Sequence, residues 1–520
     1  MTDINTTNYN PGVSASEKPG EYPPFDRGLE MDIFIKNSSN QPFVGKVWNR
    51  ESTVWPDFTH PKAFDYWHEM MADFHHKVKY DGAWIDMNEP SNFLSGSMYG
   101  DCAPEDLPYK PIAVPDEGLK YKTLCMDAKH FISRHFDVHN AYALIEAITT
   151  YRSLAEVRGK RPFVISRGSF SGIGRWSGHW SGDVFSRWHD LRMSIPDLLS
   201  FSIFGVPMMG TDICGFNENT TVELCKRWMQ LGAFYPFSRN HNTNDAKDAS
   251  VFYASLERLV YRKHVSFMQV KNVSFTGRNF LLCKFSTSRK QDASVYYASL
   301  VHLIYRWQVS SMRVKFPHNK TVYPIDEQFL IGPNVLISAI LTEGANTTKA
   351  LFPGSNPWFS FADGRELATD EAIDISDTDI VSIRGGAIIP LQEPPSKGPV
   401  NTAITRSAPM QLLVVPDVNG QAKGELYWDD GDSINTYEEK KYSHIEFAVK
   451  DNQLTSSIQW WGYGVPSINA IRVLGQNPIK TVTVNDVIAN FTVNDNKVLT
   501  IASVNLALNK PFTIKWTAKN

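Results

Sequence analysis

Three aspartates close short apolar runs: Asp86 in "DGAWIDMNEPSNF", Asp183 in "GHWSGD" and Asp212 in "GTDICGF". Paired carboxyl groups are the means of breaking a glycosidic bond. One attacks or stabilises an oxocarbenium-like carbon, and the other protonates the leaving oxygen. The attacking group must be ionised, so cations and hydrogen-bond donors suit it. The acid must keep its proton near neutral pH, so drier, apolar walls suit that one. Arg167 and His241 are the natural polar neighbours, and Trp180, just ahead of Asp183, supplies an apolar wall. A single aspartate after a strand is more often a helix cap or a turn acid. Several together, beside Trp, Arg and His, favour chemistry.

Such acids need a scaffold that presents them on one face. The runs "GAWIDM", "PFVISR" and "GVPMMGTDI" are short, flanked by Gly or Pro, and end on Asp86, Arg167 and Asp212. Helical periodicity separates them over 61–78, 141–158 and 190–204, with Pro196 a break, and over 219–231, where Thr220 and Glu223 have capping-box spacing. Strand–helix alternation predicts a parallel α/β fold, and polar residues at several strand ends favour a TIM-type (β/α)8 barrel. A doubly wound sheet is the rival, but no glycine-rich phosphate loop supports it. Asp86 and Asp183 stand 97 positions apart, about two strand–helix units.

From about residue 323 the pattern turns to short strands between turn residues, which predicts two β-sandwich modules, 323–408 and 409–520. The acids of "DDGD" at Asp429 read as a turn, with calcium the weaker reading because EF-hand spacing is absent. Residues 1–25 read as a polar, flexible tail, and 26–322 as the barrel portion. Within the latter, "DASVFYASLERLVYR" recurs as "DASVYYASLVHLIYR", marking a duplicated helix across 248–315.

Composition excludes several classes. With 42% hydrophobic and 21% charged residues in 520, the chain reads as globular, and its net charge of −3 argues against nucleic acid as a partner. No apolar run reaches membrane-span length. There is no signal-peptide pattern, yet sequons at Asn5, Asn37, Asn219, Asn272, Asn319, Asn346 and Asn490 favour a secretory-pathway origin, extracellular or lysosomal. Five cysteines specify no framework; Cys102 with Cys125 and Cys214 with Cys225 would each close a modest loop, and no spacing suggests zinc.

On these residues the chain resembles family-31 glycoside hydrolases of the α-glucosidase group. "WIDMNEPSNF" looks like the nucleophile signature and implies that Asp86 is the nucleophile. "GHWSGD" is similar to the acid/base segment and implies that role for Asp183. The resemblance further implies a glucose subsite lined by Trp48, Trp84, Met87, Phe93, Arg167, Trp180, Asp212, Phe216 and His241. It also implies the two cysteine pairs as disulfides, no metal or other cofactor, and retention of configuration on α-glucosides and malto-oligosaccharides. Family members carry an N-terminal β-domain and first barrel strands ahead of the matching region. A complementary N-terminal chain is therefore an expected partner, and the alternative is a truncated, catalytically inactive fragment with at most a carbohydrate-binding or interaction role. "VWNRESTVW" departs from the family's usual "VWPG" beside Trp48.

Overall fold

In a computed structural model, residues 6–9, 13–14, 22–48, 52–105, 109, 112, 114–243, 246, 270–273, 280–283, 309–392 and 402–519 are described. The chain divides into two compact units, residues 1–182 with 204–209, and residues 183–203 with 210–520.

The first unit is built on a parallel sheet. Strands β1 (Thr6–Tyr9), β2 (Gly82–Ile85), β3 (Phe163–Ser166), β4 (Gly178–Trp180) and β5 (Met209–Gly210) lie side by side in that order. The pairs β1–β2, β2–β3 and β3–β4 are parallel. Helices fill the crossovers: α1 (Pro23–Met31), α2 (Ala63–Lys77) and α3 (Tyr142–Arg158). This strand–helix alternation is the predicted TIM-type pattern. Thr6–Tyr9 falls within the expected flexible tail but is a strand at the edge of the sheet. Its polar sequence gave no hydropathy signal because an edge strand is recruited through its backbone.

Helix α2 buries Ala63, Tyr66, Trp67 and Met71, spaced as one helical face, against α3. There Trp67 Nε1 donates to Thr150 Oγ1 at 2.9 Å. Helix α3 stops at Gly159, which takes the left-handed conformation (φ 61°) that glycine adopts at low cost. Arg158, its last residue, reaches the Arg161 carbonyl and the Asp81 carboxylate, both at 2.6 Å. The end of one helix is thus tied to Asp81, the residue just ahead of β2.

In the second unit, helix α4 spans Trp188–Ile203 and runs straight through Pro196. The expected break does not occur. A proline removes one helical hydrogen bond, but Leu191, Ser194, Ile195, Leu198 and Ser202 are buried along the helix and hold it. Helix α5 (Val222–Gly232) is capped by Thr221, whose Oγ1 accepts from Leu224 N at 3.1 Å. The cap lies one residue after Thr220, the predicted position. Glu223 does not close a box; it accepts from Gly344 N at 2.8 Å.

Beyond residue 308 the described residues are mostly β-structure, with short helices such as Met312–Lys315 and Thr402–Ser407. A six-stranded sheet buries Met312, Leu330, Leu336, Phe352 and Trp358. An eleven-stranded sheet covers Ile445, Phe447, Leu454, Ile471 and Trp516. Strand Ala387–Gln392, placed before residue 409 in the sequence division, pairs into this second sheet. The "DDGD" acids close turns: Asp429 accepts from Gly431 N, and Asp430 from Asp432 N and Ser433 N, at 2.8–2.9 Å. Both helical copies of the expected 248–315 duplication lie outside the described residues. Between them, Val270–Val273 pairs antiparallel with Phe280–Cys283.

Candidate functional site

In the first unit the site is built where β2 and β3 end. Ile85 pairs with Ser166, so the next residues, Asp86 and Arg167, emerge side by side. Arg167 N donates to the Ile85 carbonyl at 3.2 Å and fixes that step. Asp86 Oδ1 accepts from Met87 N at 2.8 Å and lies 3.4 Å from Arg167 Nη1. A cation and an amide at this range favour the ionised carboxylate. Arg167 is itself gripped by Glu89, with Nε and Nη2 donating to the two carboxylate oxygens at 2.8 and 3.0 Å. Such a planar two-point pair fixes the guanidinium orientation.

Met87 adopts a left-handed backbone (φ 60°) although it is buried and not glycine. A long side chain held there is strained, and strain of this kind collects at functional sites. The turn is held from below. Asn88, fully buried, donates to Ser166 Oγ at 2.9 Å and accepts from Gly168 N at 2.7 Å. Ser166 Oγ donates to the Gly168 carbonyl at 2.7 Å, and His179 Nδ1–H to the Ser166 carbonyl at 2.9 Å. Burial lowers the His179 pKa to about 4, so the ring is neutral across the physiological range.

Aromatic and apolar side chains surround these acids. Trp84 and Trp180 meet edge to face at 5.4 Å. Trp48 Nε1 donates to Met87 Sδ at 3.0 Å, and its ring stands edge-on to Phe93 at 4.8 Å. The predicted residues Trp48, Met87 and Phe93 therefore form one corner, with Trp48 77% exposed and available to a ligand. Beneath α3's outer turns, Glu146 is wholly buried, and burial raises its carboxyl pKa well above the ordinary range.

The second unit carries the other predicted residues. Asp183 is exposed, and its backbone carbonyl accepts from Asn217 Nδ2 at 2.7 Å. Val184 O accepts from both Phe216 N and Asn217 N, at 2.8 and 2.9 Å, which links the Asp183 and Phe216 segments. Phe216 lies against His241, ring centroids 5.2 Å apart. Asp212 is fully buried and paired with Arg239, whose Nε and Nη2 reach Oδ1 at 2.8 and 2.6 Å. A disulfide joins Cys214 to Cys225 on α5 (Cα–Cα 4.6 Å), so the Asp212 turn is fastened to that helix. A second joins Cys102 to Cys125. Both are the predicted pairs.

Sequence reasoning assigned no role to Asn88, Glu89, Glu146 or Arg239. Glu89 lies within "WIDMNEPSNF", three positions after Asp86, and Arg239 lies two positions before His241. Their partners lie 78 and 27 positions away, so the pairings had no local signature. Among the described residues, Glu425, His444 and Glu446 are a group whose ligand atoms could converge on a metal; they lie on the distal sheet. No helix among the described residues is long and apolar enough to cross a membrane.

A family model described as Glycosyl hydrolases family 31 TIM-barrel domain matches residues 4–270. A second, Glycosyl hydrolase family 31 C-terminal domain, matches residues 308–389. The lysosomal alpha-glucosidase of Rattus norvegicus is 38% identical over 538 residues, covering 98% of this chain and 54% of its own length. The intestinal sucrase-isomaltase of Homo sapiens is 34% identical over 515 residues, covering 95% of this chain and 27% of its own. A crystal structure of glucosidase II alpha subunit superposes with a TM-score of 0.78 at 23% identity, covering 98% of this chain and 54% of that one. A Flavobacterium johnsoniae GH31 dextranase complexed with glucose does so at 0.72 and 17%, covering 98% and 61%. At those identities the structural likeness speaks for the fold. The chain spans about half the length of the lysosomal relatives it matches.

Proposed function

The chain belongs to glycoside hydrolase family 31, and we propose that it carries the catalytic residues of a retaining α-glucosidase. Its substrates are maltose and malto-oligosaccharides, from which it removes the terminal non-reducing glucose. The observation that carries this reading is the setting of Asp86: an aspartate at a strand end, 3.4 Å from a guanidinium that Glu89 holds in place.

In this mechanism Asp86 attacks the anomeric carbon while Asp183 gives its proton to the departing glycosidic oxygen. A covalent glucosyl–aspartate results. Asp183, now ionised, takes a proton from water as the water's oxygen attacks the same carbon. Asp86 leaves as the carboxylate, and two inversions give net retention. Arg167 keeps Asp86 ionised between turnovers. Trp48, Trp84, Met87, Phe93 and Trp180 supply apolar and aromatic surface to a sugar face, and Asp212, Phe216 and His241 complete the subsite. The reading requires no metal. The disulfides and the sequons support synthesis in the secretory pathway.

The test is turnover of maltose and an aryl α-glucoside by the purified chain, alone and with any co-purifying polypeptide. D86A is expected to lower kcat/KM by about 10⁴-fold or more, since the residue forms the covalent bond. D183A should lose most activity on maltose, but less on an aryl glucoside, whose leaving group needs little protonation. A folded chain that binds malto-oligosaccharides without turnover in either setting would instead identify a carbohydrate-binding chain.

A further inference from the structure

A chain of buried polar side chains runs from Asp57 to the loop that carries Asp86. Asp57, just ahead of α2, is buried; its Oδ1 accepts from Thr59 N and Thr59 Oγ1 at 2.9 and 2.7 Å, and its Oδ2 from Phe131 N. Oδ1 also meets His130 Nδ1 at 3.1 Å. His130 Nε2 lies 3.0 Å from His135 Nδ1, with ring centroids 5.2 Å apart and ring planes nearly parallel at 9°. His135 Nε2 faces the Thr123 hydroxyl at 3.5 Å, a long contact. That hydroxyl donates to the Pro90 carbonyl at 2.6 Å, four residues beyond Asp86. All four side chains are buried.

Thr123 has one hydroxyl proton, and the short bond commits it to Pro90. Its oxygen therefore presents a lone pair to the His135 ring. His130 joins the two ends of the path, meeting Asp57 through Nδ1 and His135 through Nε2.

Among the described residues no lysine or arginine contacts Asp57. Burial opposes the Asp57 charge, but the contact and field of His130, with the hydrogen bonds from Thr59 and Phe131 N, together hold the carboxyl below its ordinary value. Burial, then the neighbouring His130 and His139, push His135 well below its ordinary value and keep it neutral. The other groups facing these rings are Tyr142 of α3, edge-on to His130 at 6.3 Å, and His139, 4.9 Å from His135 and within the field of Glu89.

We propose that Asp57, His130, His135 and Thr123 are positioning residues for the Asp86 loop, holding it through a chain of buried polar contacts that ends on the Pro90 carbonyl. The proposal rests on the reading of Asp86 as nucleophile, and it deepens that reading by naming what fixes the loop's geometry.

The test is amide exchange over residues 87–93 in the full chain, wild type against T123V and H130N. Exchange there should rise about tenfold in both variants. In turnover, T123V should lower kcat by about 10- to 100-fold and change KM little. T123S should restore both exchange and kcat. Loop exchange in T123V equal to wild type overturns the proposal. The exchange measurement needs no turnover, so an inactive chain with this network intact counts against the α-glucosidase reading alone.

Discussion

Asp86 lies 3.4 Å from Arg167, which Glu89 holds in place. Its position at a strand end was legible, as was Arg167, because short apolar runs announced both. Glu89, which orients Arg167, lay in plain view, but a pairing across 78 positions is a property of the fold. Glu146 makes the same point in reverse. It sits in a helical pattern as an ordinary acid, yet it is fully buried, with its pKa raised mainly by burial and further by the charge of Glu89. A raised folded-state pKa means that the unfolded chain releases this proton first. The stability associated with the protonated group is full below the unfolded value of 4.5 and is lost as pH rises towards the folded value. E146Q, neutral at every pH, should therefore match wild type in urea unfolding near pH 4.5 and be the more stable at pH 8. An E146Q-minus-wild-type difference that shrinks as pH rises would show that Glu146 is ionised in the folded chain.

Among the elements, the helices between strands were read close to their observed limits because their buried faces repeat at helical spacing. Two details were not readable. Pro196 signals a break by local rules, but tertiary burial along α4 outweighs one lost hydrogen bond. Thr220 and Thr221 are equivalent as sequence; backbone geometry chose Thr221, extended at φ −106° and ψ 160°. The predicted site also depends on elements meeting closely. Gly210, at the end of β5, has no room for a side chain: a Cβ there would fall on the Phe237 carbonyl, two residues before Arg239. G210A is expected to cost about 2–3 kcal/mol of stability by forcing that backbone away. It should also loosen the Asp212–Arg239 pair. Unchanged thermal unfolding of G210A would show that the two segments are free to separate.

At the scale of the whole molecule, the sequence conveyed the order of modules, a parallel α/β region followed by β-sheets. It placed the change of character near residue 323, and the β-structure begins with strand Val309–Ser311. Strand Ala387–Gln392 escaped the division because only sheet pairing tells which module a strand joins. The two disulfides sit beside the predicted site segments and fasten loops that carry little regular structure of their own. On the proposed reading the chemistry comes down to one event, a bond between Asp86 and glucose. Incubation with 5-fluoro-α-D-glucosyl fluoride, followed by peptide mass mapping, reads that event directly, because the fluorine slows release of the glucosyl–enzyme. The account predicts a fluoroglucosyl adduct on the peptide containing Asp86, lost in D86A. An adduct on another carboxylate, or turnover that releases inverted sugar with Asp86 unlabelled, would contradict it.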